Sequence, residues 1–504
     1  MDAGTTVKAH DDKEDFVNKT ANRYDEKYDA IVIGAGIGGL SCAAFLAKSG
    51  MKVKVFERHS IPGGYCTSFN RKGFNFSAAV LYTSGCGPGG PVTKVLTELG
   101  LGNKVEFHKI EPFCKLLFPD ESFIVPATFN GWMDMLINNF PGEKDRITRF
   151  IHSIQAIAED MQKIPTQSDL VTKYRDKTLK EFMDEYLADS CLKAVISGIF
   201  FGGLPPSRLS ALSWSALMNT RLKDGVYVPK GGAQVLADAL VGALKGFGGQ
   251  LELNKGVRKI LIESGRAVGV ETNDGKRIKA STTVSNVAAR ETFGGLISQR
   301  EMTAVAPDFI DNLRRLEIGT PSITVYLGID LDVQSLGVND FLTLVHESWD
   351  IEQEWEAASQ GNVADAFFSV GIPTLVDPEL APENMHEVHM ITYAPYYLPG
   401  SYWSREEKGR LTDILIRKAE RVLPDLSNHI LIQDSATPRT NERYTLNTEG
   451  VTMGWAHTPA NLSIRPNPET DLAGLYLTGH WTRLGGSIRT VLISGRTVAH
   501  MITS

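Results

Sequence analysis

Gly34, Gly36 and Gly39, in VIGAGIGGLSCAAFLA, stand where main chain rather than side chain would do the binding. They follow an apolar strand, Ala30 to Ile33, and open an Ala/Leu-rich helix. In such a turn the first glycine permits the tight reversal and the second lets a pyrophosphate approach the backbone. The third lets helix and strand pack closely. The helix N-terminus adds amide donors and a positive dipole end. Gly38 lies in the same turn. Glu57 ends the next strand, 23 residues after Gly34, where a carboxylate can accept both hydroxyls of a ribose; Arg58 comes directly after it. The whole is a βαβ unit of about 30 residues, and it predicts a dinucleotide site.

Two further glycine turns select the dinucleotide. RHSIPGGYCTSF, directly after Glu57, carries the first of them, Gly63-Gly64, at the distance suited to line a flavin. The C-terminal GLYLTGHWTRLGGSIRTVLISGR holds the other, Gly485-Gly486, opening the last helix. That helix would aim its amides at the anionic edge of a reduced flavin. FAD is therefore the expected cofactor. The glycine clusters 85–90 and 246–249 lack the context of an NAD(P)H domain, so electrons come from an external donor or the reaction is redox-neutral.

No GxSxG elbow, HExxH helix or P-loop lysine is present, and the flavin would carry the chemistry. Four side chains are candidates beside it. Cys66 reads as a buried small thiol or as a reactive one. His480 and Trp481 either shape the active site or cap the terminal strand. Arg489 is an anchor for an anionic head group, a partner of the flavin, or a solvated helix residue. Tyr393, Tyr396, Tyr397 and Trp403 form an aromatic group that packs a core or lines an apolar tunnel.

These residues need positioning by a chain of 504 residues, enough for two domains. Residues 29–100, 226–294 and 431–504 are assigned to a discontinuous FAD domain, and 101–225 and 295–430 to an inserted substrate domain. The middle supports this division. Lys230 to Gly249 reads as a glycine-capped helix, and a hairpin turns at Asp274-Gly275. Strands are expected at 322–331 and 386–394. Residues 1–28 read as a polar lead-in with no signal peptide.

A net charge of −7 argues against nucleic acid. Five scattered cysteines suggest reduced thiols in a cytoplasmic setting and offer no metal site. The longest apolar stretch, Ala194 to Leu204, is short of the roughly 18–20 residues that span a bilayer, which leaves peripheral membrane contact open.

The GxGxxG turn, Glu57, PGG at 62–64, PKGGAQVLADAL at 229–240 and the terminal LYLTGHW…GG…SGR together resemble the phytoene desaturase, carotenoid isomerase and retinol saturase superfamily. The resemblance runs from Asp29 to the end and is sharpest in the FAD segments. It implies an α/β fold: a glutathione-reductase-like (Rossmann-type) FAD-binding domain with an inserted α+β substrate domain on an antiparallel sheet. It implies that Gly34, Gly36, Gly39 and Glu57 hold the ADP half, that Gly63 and Gly64 lie by the flavin, and that Val257 meets the adenine through its backbone. Gly479, Gly486 and Ile488 would frame the ribitol and pyrimidine edge. Two positions depart from the pattern. His480 replaces an acidic residue, and Phe76-Ser77-Ala78-Ala79 replaces FD-x-G.

The expected function is FAD-dependent isomerisation, desaturation or saturation of C=C bonds in a carotenoid- or retinoid-like polyene. The alternative is a polyunsaturated fatty-acid double-bond isomerase. A carrier of prenyl groups, similar in fold to Rab escort proteins, is the rival outside catalysis.

Overall fold

The computed structural model describes residues 24–161, 163, 168–199, 203–298, 300–304 and 307–504. Most of the lead-in, residues 1–23, and residues 200–202 of the apolar stretch lie outside the described residues.

Glu26–Ile33 is the central strand of the first sheet. It pairs in parallel with Val53–Phe56 on one side and Arg277–Ser285 on the other. Gln250–Glu252 extends the sheet beyond Val53–Phe56, and Leu475–Leu477 pairs in parallel with the far half of Arg277–Ser285. The near half of that strand joins the antiparallel hairpin Val257–Glu263/Arg266–Thr272. The turn at Gly275 has φ +85°, as a DG hairpin requires. Central strands of such a sheet are covered on both faces and so read as continuous apolar runs. Ala30, Ile31, Val32, Val53 and Val55 are each 0% exposed.

Helix Ile37–Lys48 packs on this sheet beside the last helix, Ile488–Thr503. Small residues bring the two helices to backbone contact. A Cβ on Gly495 would collide with the carbonyl of Gly38 and lie 2.7 Å from the amide nitrogen of Cys42. Ser41 Oγ donates to the carbonyl of Leu492 at 2.9 Å across the same seam.

The second sheet runs in the order Ile430–Ala436, Ser322–Ile329, His386–Tyr393, Phe368–Gly371, Leu342–Val345, Cys114–Leu117 and Ser122–Val125. Every pairing is antiparallel except Leu342–Val345 with Cys114–Leu117. Period-2 alternation sends Ile323, Val325, Leu327, Val388 and Met390 into a core with Leu411 and Leu415 of helix Arg405–Ala419. The opposite face carries Tyr326, Glu387 and His389. A separate core of helices holds Trp132, Phe150, Phe182 and Trp214. The division expected at residue 431 falls inside a strand of this second sheet, because Ile430–Ala436 pairs with Ser322–Ile329. Among the described residues, no helix is long and apolar enough to cross a membrane.

Candidate flavin site

The first glycine turn is packed against one asparagine. Gly34 has φ +94°, a conformation that favours glycine. A Cβ on Gly36 would lie 2.7 Å from Asn286 Nδ2, and one on Gly38 would lie 2.8 Å from Asn286 Oδ1. A Cβ on Gly39 would collide with the carbonyl of Gly34. Asn286 comes directly after the strand Arg277–Ser285, and its amide donates to the carbonyl of Ile33 at 2.9 Å. Sequence reasoning missed this residue. Its signal was a polar Ser285-Asn286 pair ending an apolar strand.

Glu57 is half-buried and directly follows Val53–Phe56. Its two carboxylate oxygens accept from the amides of Ala35 and His59, each at 2.8 Å. The carboxylate thus tethers the glycine turn to the segment after the strand. Gln250–Glu252 holds Glu57 from the other side, since the Glu57 amide donates to the carbonyl of Glu252 at 2.9 Å. Gly63 lies beside Gly36, with its amide donating to the carbonyl of Ala35 at 2.8 Å. Both turn glycines have positive φ, +126° at Gly63 and +60° at Gly64. Val257 is half-buried and opens the hairpin opposite Thr272. Arg58 is exposed, and its guanidinium donates to the carbonyl of Arg443.

The terminal motif closes the cradle. Gly479, at φ +90°, would collide through a Cβ with Asn286 Oδ1, and its amide donates to Ser494 Oγ at 3.1 Å. His480 lies beside Tyr65, with ring centroids 6.4 Å apart. Its Nε2 has no hydrogen-bond partner among the described residues. Burial pushes its pKa down to about 4, so the imidazole is neutral at neutral pH. Tyr65 keeps its phenol proton, since burial raises its pKa; its OH is 3.1 Å and 3.0 Å from the carbonyls of Gly450 and Val451. Ser487 caps the last helix by accepting from the Thr490 amide at 3.1 Å. Ile488 is buried, and a Cβ on Gly486 would lie 2.9 Å from the carbonyl of Met453.

The other candidates separate. Trp481 is 2% exposed and turned into the core. Its Nε1 donates to Asn447 Oδ1 at 2.6 Å, and its ring meets Trp455 edge-on at 4.8 Å. That placement makes it a packing residue. Cys66 is 4% exposed, and burial pushes its thiol up to about 12, which leaves no thiolate to react. Arg489 is half-buried in the first turn of the last helix, with Nε unpartnered among the described residues. Its Cδ lies 3.5 Å from where a Cβ on Gly85 would be. The aromatic group divides: the rings of Tyr396 and Tyr397 lie 4.8 Å apart, while Tyr393 packs on Trp355 at 4.7 Å. Tyr393 and Tyr396 are buried while Tyr397 is 70% exposed, and Trp403 Nε1 donates to the carbonyls of Pro395 and Tyr396 at 3.2 and 3.1 Å.

A bare-backbone cradle, a carboxylate tied to its turn and unpartnered nitrogens on His480 and Arg489 among the described residues fit FAD, whose pyrophosphate and pyrimidine edge supply acceptors. Residues 37–503 match the family model of the flavin-containing amine oxidoreductases. The chain is 28% identical to the chloroplastic prolycopene isomerase of Daucus carota, over 95% of this chain and 80% of that one. It is 27% identical to the neurosporene-forming phytoene desaturase of Rhodobacter capsulatus, over 94% and 93%. An oxidoreductase from Methanosarcina mazei has the same fold at a TM-score of 0.66 and 21% identity, over 94% of this chain and 100% of that one. The chain belongs to the flavin-containing amine oxidoreductase family.

Proposed function

We propose that the protein is an FAD-dependent enzyme acting on carbon–carbon double bonds of a long apolar polyene, by isomerisation, desaturation or saturation. The observation that carries this reading is the glycine cradle around Asn286, in a chain whose relatives include a prolycopene isomerase and a phytoene desaturase. Bound FAD would supply hydride or electron exchange with the carbon chain.

The residues would do the rest. Gly34, Gly36, Gly38 and Gly39 admit the pyrophosphate to the amides of helix Ile37–Lys48. Glu57 turns its carboxylate to the adenosine ribose while holding the turn in place. Gly63, Gly64 and Gly479 bring main chain up to the ribitol and flavin. His480, neutral and with a spare Nε2, offers one hydrogen bond without adding charge. The unionised phenol of Tyr65 ties the flavin-side turn to the segment 450–451.

A fatty-acid double-bond isomerase is the second reading, and the half-buried guanidinium of Arg489 favours it, because a carboxylate needs such a partner. The deciding experiment is anaerobic product analysis of the FAD-loaded protein with carotenes, retinoids and polyunsaturated acids. Turnover of a polyene supports the proposal. A protein that neither carries FAD nor takes it up would return the chain to the carrier reading.

A further inference from the structure

One arginine near the terminal motif has no counter-charge among the described residues. Arg465 is 6% exposed and pairs with no carboxylate among the described residues. Its Nη2 donates to the carbonyls of Trp455 and Ala456 at 3.1 and 3.0 Å, and its Nε has no partner among the described residues. Its Nη1 lies 2.9 Å from where a Cβ on Gly485 would be. His457 shares the spot, with Cε1 3.4 Å from the same point. The His457 Nδ1 is 2.5 Å from Ser213 Oγ, and its Nε2 is unpartnered among the described residues. Gly485 and Gly486 form the turn before Ser487, the cap of the 16-residue last helix.

Burial of a lone cation is costly, by several kcal/mol. Burial lowers the Arg465 pKa to about 10, so the guanidinium is still charged at neutral pH. His457 is held well below 6.5 by burial and by the charge of Arg465, and is neutral. Of this pair Arg465 alone is charged, and its guanidinium stands against the glycine turn that precedes the last helix. A clasp on residues 455–456 would explain Nη2 alone, and a neutral donor would serve it equally well. An anion beside the turn explains why the residue is a cation.

We propose that Arg465 is a flavin-tuning residue: its buried guanidinium adds to the N-terminus of helix Ile488–Thr503 to stabilise negative charge on the pyrimidine edge of reduced FAD. This rests on the FAD reading of the same site. Reduction of the flavin by two electrons and one proton leaves a negative charge over N1 and the C2 carbonyl, and a nearby cation raises the potential at which this happens. Because Arg465 acts through the field, and not by contact with the reacting carbons, it is a positioning group rather than a catalytic one.

The test uses the FAD-loaded protein, with sulfite as the probe, since its flavin adduct carries the same negative charge. Arg465→Gln keeps a donor for the carbonyls of Trp455 and Ala456 but removes the charge. Sulfite should bind this variant at least tenfold more weakly, and the two-electron midpoint potential should fall by about 30 mV for each tenfold. Arg465→Lys should recover part of both. Unchanged sulfite affinity and potential in flavin-loaded Arg465→Gln would overturn the proposal and leave Arg465 a clasp. If the variants fold but lose FAD, or do not fold, the wild-type holoenzyme decides. Its reduced flavin should stay anionic at mildly acidic pH, where free reduced flavin takes up a proton at N1, and a neutral reduced flavin there overturns the proposal. An Arg465→Gln effect confined to the binding of fatty acids, with the potential unmoved, would also overturn it and place a substrate carboxylate at the turn. Absence of any flavin in the wild type would instead strike at the FAD reading itself.

Discussion

Gly479 and Asn286 occupy positions that exclude a side chain between them: a Cβ on Gly479 would collide with Asn286 Oδ1. The same asparagine limits Gly36 and Gly38, so the N-terminal turn, the end of strand Arg277–Ser285 and the terminal motif converge on one amide. Gly479→Ala should therefore damage the cradle twice, through the left-handed φ and through the collision. FAD affinity should fall at least tenfold, about 1.4 kcal/mol. Asn286→Ala combined with Gly479→Ala should bind FAD more tightly than additivity of the single variants allows, because the collision is relieved. Strict additivity in FAD titrations would show that the two residues do not press on each other.

Glu57 ties two backbone amides before any ribose arrives, so its loss should be felt in the apoprotein as well. Glu57→Ala should weaken FAD by about 1–3 kcal/mol, the scale of charge-assisted hydrogen bonds. The apoprotein should also melt earlier. FMN, which lacks the adenosine ribose, should bind the variant and the wild type alike. An unchanged FAD dissociation constant would remove Glu57 from the ribose site.

The first sheet was legible because its signals are local: an apolar strand, glycines at fixed spacing and a DG turn each act within a few residues. The second sheet was legible at two of its strands, Ser322–Ile329 and His386–Tyr393, and not as an assembly. The boundary at residue 431 cut through Ile430–Ala436, because nothing in ILIQDSA says that it pairs with Ser322–Ile329 rather than joining the FAD domain. Asn286 was missed for a similar reason: the Ser285-Asn286 pair marks the end of an apolar strand, but the asparagine's role exists only where three distant segments meet. Tyr393 and Tyr397 looked alike in sequence. One ends a strand and is buried, and the other lies in the loop after it and is exposed. Burial of Trp481 likewise depends on Asn447 and Trp455, both far from it in the chain.

Two half-buried histidines give the protein a defined acid sensitivity. Burial lowers His480 from the ordinary 6.5 to about 4, and lowers His457 well below 6.5. As pH falls below 6.5 the unfolded chain takes up protons at both positions and the folded chain does not, so unfolding is favoured. Stability from these groups is complete above 6.5 and is lost progressively down to about 4, where His480 itself protonates in the folded state. Melting temperatures measured across that window should drop in the wild type. The drop should be shallower in His480→Asn, which cannot take up the proton. Parallel curves for the two proteins would mean that His480 is not held neutral by burial.

Arg489 offers the sharpest test between the two substrate readings. Its guanidinium is half-buried at the start of the last helix, its Nε is unpartnered among the described residues, and burial lowers its pKa while Asp224 opposes that shift. A free fatty acid needs a partner for its carboxylate, and a guanidinium offers two parallel donors. Arg489→Leu should then raise the Michaelis constant for the acid more than tenfold, the effect of losing about 1.4 kcal/mol, and leave the methyl ester almost unaffected. A hydrocarbon carotene has no charge to lose, so its Michaelis constant should stay near the wild-type value. Equal losses on acid and ester would exclude an anchoring role and assign Arg489 to the flavin or to the packing against Gly85. Wild-type kinetics with every substrate would make it a helix residue whose charge is balanced by Asp224. The comparison of acid with ester is what separates these cases, since the two share the carbon chain and differ only in the charge that Arg489 would hold.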